Sequence, residues 1–306
     1  MSGKRAVRIA CLDSTPKCSA VILGLARLLA VLPLSVLHRL GALCGWMVYL
    51  VAPRYRRCLS ANLRTAGYTE AALLHGAIAE AGKGLLELPA IWLRPHATVV
   101  SWVAQVSGWA LVEAALARRR GIIFLTPHLG CFEITAQYYA HRAKADTPLT
   151  ALYRPPKMKA LEPLMLAGRH RPNLHLASAD LKGVRMLLRA LKRGEAIGIL
   201  PDQAPGVGEG EWAEFFGRPA YTMTLVGRLA ETSGAQLVLA YAERLPRGEG
   251  YHLHLVPMPA PLAGESPART LNRALEDLIR LCPAQYGWGY NRYKVPAGAI
   301  PPNSSC

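Results

Sequence analysis

Residues Ile122–Leu125, Ile-Ile-Phe-Leu after Gly121, leave no polar position on either side of an extended chain. A strand written this way must be buried on both faces, as in parallel sheets covered by helices on each side. Thr126-Pro127 ends the strand, because proline lacks the N–H that a ladder needs, and Gly130 loosens the loop that follows. From Cys131 the pattern Phe132, Ile134, Thr135, Tyr138, Tyr139 takes helical spacing. His128 therefore falls where a buried strand gives way to a helix, the place where open α/β sheets hold their ligands.

The same alternation continues downstream. Strands are expected at Ile122–Leu125, Leu149–Tyr153, Leu174–Ala177, Ala196–Leu200, Gln236–Glu243 and Tyr251–Val256. Helices are expected at Phe132–Arg142, Lys157–Arg169, Leu181–Lys192, Met223–Thr232 and Pro267–Leu281. The rhythm predicts an α/β fold whose central sheet is largely parallel or mixed and flanked by helices. Its last two strands, joined through Pro246–Gly250, form an antiparallel hairpin. Upstream, Glu70–Leu93 and Val99–Arg118 read as helices leading into this domain.

The N-terminus follows another logic. Residues 1–17 are polar and basic and read as a flexible tail. Cys18–Leu37 is apolar apart from Ser19, Arg27 and Ser35, and a second apolar run, Leu40–Ala52, follows His38-Arg39. A bilayer span needs roughly 20 such residues. Arg27, Pro33 and the basic flanks argue equally for a shallower, in-plane position. Residues 18–52 are thus expected to be one or two membrane-anchor helices, with a buried hairpin of a soluble protein as the bland reading. Residues 53–295 form the main domain and 296–306 a loose tail. Arg54, Arg56, Arg57 and Arg64 directly after the apolar runs suit lipid headgroups.

Charge narrows the partners. Lys and Arg outnumber Asp and Glu by 36 to 20, a net charge of +16, although only 18% of the 306 residues are charged and 51% are hydrophobic. Positive charge on an apolar chain points to an anionic membrane surface, a phosphorylated lipid or an acidic protein. With 7% aromatic residues and no nucleic-acid motif, nucleic acid is not an expected partner. Seven cysteines without a CxxC pair indicate neither a disulfide framework nor a zinc site.

On one continuous helix, residues five apart point roughly 140° away from each other, at about 3.6 residues per turn. His128 and Glu133 can meet only if the histidine lies in the loop and the acid in the first helical turn. A carboxylate on one imidazole nitrogen would then fix the tautomer and leave the other nitrogen to accept a proton. A buried histidine satisfied by a nearby acid is the structural alternative.

Further stretches stand at the expected strand ends: Tyr153-Arg154-Pro155, Gly168-Arg169, Asp180-x-Lys182-Gly183, Pro201-Asp202-Gln203, and Phe215-Phe216-Gly217 with Thr222 opening a helix. In parallel strands, Arg154, Arg169, Asp202 and Gln203 would share one sheet edge with His128. Together with Asn62-Leu63 and the closing Pro283-x-Gln285-Tyr286-x-Trp288…Asn291-Arg292-Tyr293-Lys294, this ordered set resembles the lipid A biosynthesis acyltransferases, within the wider glycerolipid acyltransferase superfamily. The resemblance spans roughly residues 20–295.

It implies transfer of a fatty acyl group from acyl carrier protein to a hydroxyl of a phosphorylated glycolipid, a Kdo-bearing lipid A precursor. The reaction would run at the cytoplasmic face of the bacterial inner membrane, without metal or redox cofactor. His128, Glu133 and Arg169 would be the catalytic residues. Arg154, Lys182, Asp202, Gln203, Phe215, Phe216, Gly217 and Thr222 would bind substrate, the phenylalanines and Thr222 bordering the acyl groove. Acylation of another membrane lipid is the nearest alternative. A thioesterase with Cys131 as nucleophile, and a non-enzymatic basic membrane-binding protein, are more distant ones.

Overall fold

The computed structural model describes residues 16–156 and 162–302. Most of the basic tail, the first residues of the helix expected from Lys157, and the last four residues lie outside them. Seven strands make the main sheet: β1 (Val103–Ser107), β2 (Ile122–Leu125), β3 (Leu149–Tyr153), β4 (Leu174–Ser178), β5 (Ala196–Ile199), and, after a separate hairpin of β6 (Gly210–Phe215) and β7 (Arg218–Met223), β8 (Gln236–Arg244) and β9 (Tyr251–Pro257). Their order is β1-β9-β8-β2-β5-β3-β4. Strands β8, β2, β5, β3 and β4 are mutually parallel, and β9 returns antiparallel beside β8. The α/β expectation and the closing hairpin both hold.

β2 shows why its sequence has no polar position. Ile123 and Leu125 enter a core with Leu187 and Leu191 of α10 (Leu181–Lys192) and Leu275 and Ile279 of α12 (Pro267–Leu281). Ile122 and Phe124 enter the opposite core with Ile134 and Tyr139 of α8 (Phe132–Arg142). Alternation along a strand sends neighbours to opposite faces, and here both faces are covered. Helix starts are written in the same local chemistry. Asp180 caps α10 by accepting the Gly183 N–H at 2.8 Å, and Ser266 caps α12 ahead of Pro267.

Three expectations change. Val99–Arg118 is not one helix: α6 (His96–Ser101) and α7 (Trp109–Ala117) flank the edge strand β1, which pairs with β9. Gly108 makes the turn out of β1 at φ 81°, where a Cβ would lie 2.0 Å from the Leu255 carbonyl oxygen. Glu70–Leu93 divides into α4 (Ala71–Leu86) and α5 (Leu88–Leu93), because Pro89 cannot donate into a continuing helix. Thr222 does not open a helix; it lies in β7, and the helix α11 (Leu225–Ser233) starts three residues later.

At the N-terminus, α1 (Pro16–Val31) and α2 (Leu34–Val51) precede α3 (Pro53–Thr65). By length and composition α2 could cross a membrane. It packs along α4 with unusually close backbones: a Cβ on Gly45 would lie 2.2 Å from the Ile78 carbonyl oxygen, and one on Gly82 would overlap the Gly41 carbonyl. Small residues four apart allow that approach. The other side of α2 is open, with Leu43, Met47 and Leu50 at 68%, 58% and 64% exposure.

Candidate active site

His128 sits in the loop from β2 to α8, at the carboxyl edge of the parallel strands. Its partner comes from the neighbouring strand. Asp202, in the loop after β5, accepts from His128 Nδ1 at 2.8 Å and from the His128 backbone N–H at 2.9 Å. Gln203 Nε2 lies 3.3 Å from His128 Nε2. The hydrogen bond expected between Glu133 and His128 is therefore corrected: the carboxylate on Nδ1 belongs to Asp202. Strand order explains this. β5 lies directly beside β2, so the residues just after the two strands meet.

Glu133, in the first turn of α8, instead takes the Arg169 guanidinium at the end of α9 (Glu162–Arg169), with Arg169 Nε 3.0 Å from Oε2 and a second bond from the terminal nitrogen to Oε1. Gly168 makes this reach possible. A Cβ there would lie 2.2 Å from the Trp92 Cβ, and its carbonyl accepts from Gln137 Nε2 of α8 at 3.0 Å.

The electrostatics follow from these pairs. Burial opposes a charged imidazole at His128, but the Asp202 carboxylate outweighs it, with help from the Glu133 charge, so the pKa is raised above the ordinary histidine value. Asp202 is buried, which would raise its pKa, yet His128 holds it below the usual carboxylate range. For Arg169, the Glu133 charge likewise outweighs burial and strengthens the cation.

His128 and Glu133 border one cavity of about 360 Å³. Its far wall is α2 and α4, through Cys44, Gly45, Val48, Ala81 and Leu85. The apolar N-terminal helix thus forms part of the site. A buried ion cluster closes the base: Arg244 binds Glu87 with Nε at 2.9 Å and a terminal nitrogen at 2.6 Å, and the same nitrogen donates to the Gly130 carbonyl at 2.8 Å. Tyr251 and His38 also reach Glu87, at 2.9 and 3.1 Å. Burial alone would raise the Glu87 pKa, but Arg244 brings it down to about 2.

The closing segment clasps the loop. The Gln285 carbonyl accepts from Gly130 N–H at 3.0 Å, Gly287 N–H donates to the His128 carbonyl at 2.9 Å, and Asn62 Nδ2 donates to the Trp288 and Tyr290 carbonyls at 2.7 Å.

Comparison with known proteins decides the assignment. The family described as bacterial lipid A biosynthesis acyltransferase matches residues 14–295. The chain belongs to that family. It is 27% identical over 288 residues to the lipid A biosynthesis lauroyltransferase of Escherichia coli (strain K12), covering 91% of this chain and 92% of that protein. It is 28% identical over 221 residues to the lipid A biosynthesis palmitoleoyltransferase of the same organism, covering 71% and 70%. A Haemophilus influenzae lipid A biosynthesis acyltransferase is 24% identical over 180 residues, covering 58% and 55%.

In this acyltransferase the remaining motif residues divide. Arg154 is exposed at the end of β3, and Lys182 is exposed at the start of α10, neither with an ion pair among the described residues. The Asp180–Gly183 motif is a helix cap, and a Cβ on Gly183 would overlap the Ser178 carbonyl.

Phe215, Phe216, Gly217 and Thr222 do not line the cavity; they are corrected to structural roles. Phe216 and Gly217, at φ 48° and 72°, form the two-residue turn between β6 and β7. The Phe216 N–H is held by Glu276 at 3.0 Å. Thr222 is fully buried and accepts from Arg292 and Asn272 at 2.7 and 2.9 Å. Cys131 is buried as well, and burial together with the nearby Glu87 charge drives its thiol pKa well up, the reverse of a thiolate nucleophile. Sequence reasoning missed Glu87, Arg244 and His38, each an isolated polar side chain without a motif around it.

Proposed function

We propose that this acyltransferase moves a fatty acyl chain from the thioester of acyl carrier protein to a hydroxyl of a phosphorylated, Kdo-bearing lipid A precursor at the cytoplasmic face of the inner membrane. The observation that carries the mechanism is the Asp202–His128 pair beside the cavity. With Nδ1–H directed to Asp202, the Nε2 lone pair is the base. It accepts the proton of the acceptor hydroxyl as that oxygen bonds to the thioester carbon, help worth roughly 10²–10⁴-fold. The Gln203 amide now near Nε2 gives way to the hydroxyl.

The tetrahedral oxyanion requires a positive or N–H-rich surrounding; Phe132 and Glu133 at the start of α8 line the cavity, and the positive helix end there favours that charge. The C–S bond then breaks, and His128 returns its proton to the leaving thiolate. Glu133 acts through Arg169 and through the field it places on His128. Donor and acceptor are both anionic and suit a surface of net +16. The exposed apolar side of α2 and the exposed Arg54, Arg56 and Arg57 favour a seat at the membrane, where a lipid reaches the α2 wall of the cavity directly.

The test is acyl transfer by the purified protein in lipid vesicles, with tetra-acylated precursors carrying or lacking Kdo, and carrier proteins of graded acyl length. Mass spectrometry is expected to show one added acyl ester that His128→Ala abolishes. No mass gain with any pairing would refute the donor and acceptor named here.

A further inference from the structure

A second cluster of ligating side chains lies outside the catalytic cavity, on the hairpin of β8 and β9. His252-Leu253-His254 is a strand segment, so the two histidines share one face while Leu253, 1% exposed, points into the core on the other. Glu243 stands directly opposite His252 on β8, and Tyr241 stands opposite His254. His254 Nε2 is 3.1 Å from Glu243 Oε2, and the two imidazole rings are 3.8 Å apart. One donor atom from each of the three residues falls within 4.8 Å of the others.

A zinc-type ion held at about 2.0–2.2 Å by imidazole and carboxylate donors in a tetrahedron sets those donors on the order of 3.4 Å apart. The His254–Glu243 edge already has that spacing, and small rotations close the rest. All three side chains are half-buried, so solvent can reach a fourth position.

The surroundings are those of a ligand site. Ser107 of β1 lies 2.8 Å from His252 Nε2, the kind of outer hydrogen bond that orients a metal-bound imidazole. Tyr241 stacks flat on His254 at 4.5 Å and 8°, fixing that ring.

We propose that Glu243, His252 and His254 bind a divalent transition-metal ion of zinc type, which fastens β8 to β9 away from the reacting groups. Its position gives it a structural consequence. Glu243 lies between Ala242, whose carbonyl accepts the Cys131 N–H at 2.8 Å, and Arg244, which holds the Gly130 carbonyl. An ion here stiffens the strand on which the catalytic loop rests.

The experiment uses the tag-free full-length protein in detergent, stripped with chelator, then titrated with Zn²⁺ by calorimetry and with Co²⁺ as an optical probe. One equivalent is expected to bind, with tetrahedral Co²⁺ absorption and a raised melting temperature. The double variant His252→Ala/His254→Ala is expected to lose this binding and the thermal shift while its metal-free acyl transfer is retained. Should it fold poorly, Ser107→Ala serves instead, with an expected loss of about 10–100-fold in affinity. Equal zinc affinity in wild type and whichever variant folds, or no zinc binding by the wild type, overturns the proposal.

Discussion

Asp202 holds His128 twice, through Nδ1 at 2.8 Å and through the backbone N–H at 2.9 Å. One buried carboxylate thus sets the ring's tautomer, its orientation and the path of the loop that carries it. Asp202→Asn keeps the size of the side chain but no longer demands a proton on Nδ1. It is expected to lower kcat by about 10²–10⁴-fold with the fold intact by circular dichroism. Retention of full activity would remove Asp202 from the mechanism.

The raised pKa of His128 gives a signed pH dependence. The base must be neutral, so kcat/KM rises with pH through that raised value, above the ordinary imidazole position of about 6.5. In Asp202→Asn the limb moves to lower pH, because burial then acts without its opposing carboxylate. Stability runs the other way: the His128 contribution is full below its unfolded pKa and is lost as pH climbs through the folded value. Asp202, held low, contributes above its unfolded pKa and loses this as pH falls through its folded value. A pH–rate profile and thermal melts across pH check both signs.

Arg244→Met leaves Glu87, 1% exposed, as a buried charge without its fork. A loss of about 3–5 kcal/mol is expected, and the paired change Glu87→Gln/Arg244→Met recovers part of it. Chemical denaturation of wild type, single and double variants measures the coupling. Additive losses would show that the pair is not a unit.

Arg169→Lys retains the charge but cannot offer Glu133 two parallel bonds. Both activity and melting temperature are expected to fall, with Arg169→Ala falling further. A Lys variant equal to wild type would reduce Arg169 to a point charge.

Thr222→Val removes the acceptor shared by Arg292 and Asn272 and is expected to destabilise by about 1–3 kcal/mol. The preference among donor chain lengths is expected to stay as it is, since Thr222 does not border the cavity. A changed chain-length profile would return the residue to the substrate groove.

Cys131→Ala is expected to turn over at the wild-type rate, because a buried thiol with a raised pKa contributes packing and not a nucleophile. Loss of turnover with the fold preserved would revive an acyl-enzyme route.

Local patterning in the sequence determined the strands β2 and β3, the helices α8, α10 and α12, and the position of His128 at a strand's end, because apolar runs, helical periodicity and chain-breaking residues are written within a few positions. It also marked Arg154, Arg169, Asp202 and Gln203 as residues that would share one edge with His128, of which Arg154 is exposed without an ion pair among the described residues. Which of them pairs with which was decided by strand order: β5 beside β2 sends Asp202 to His128, and α9 against α8 sends Arg169 to Glu133. The edge strand β1, the placing of α2 against the cavity, and the burial of Phe215 and Thr222 away from it were likewise tertiary outcomes. Long-range pairing leaves no periodic trace along the chain, since its partners lie tens of residues apart and meet only when the layers pack.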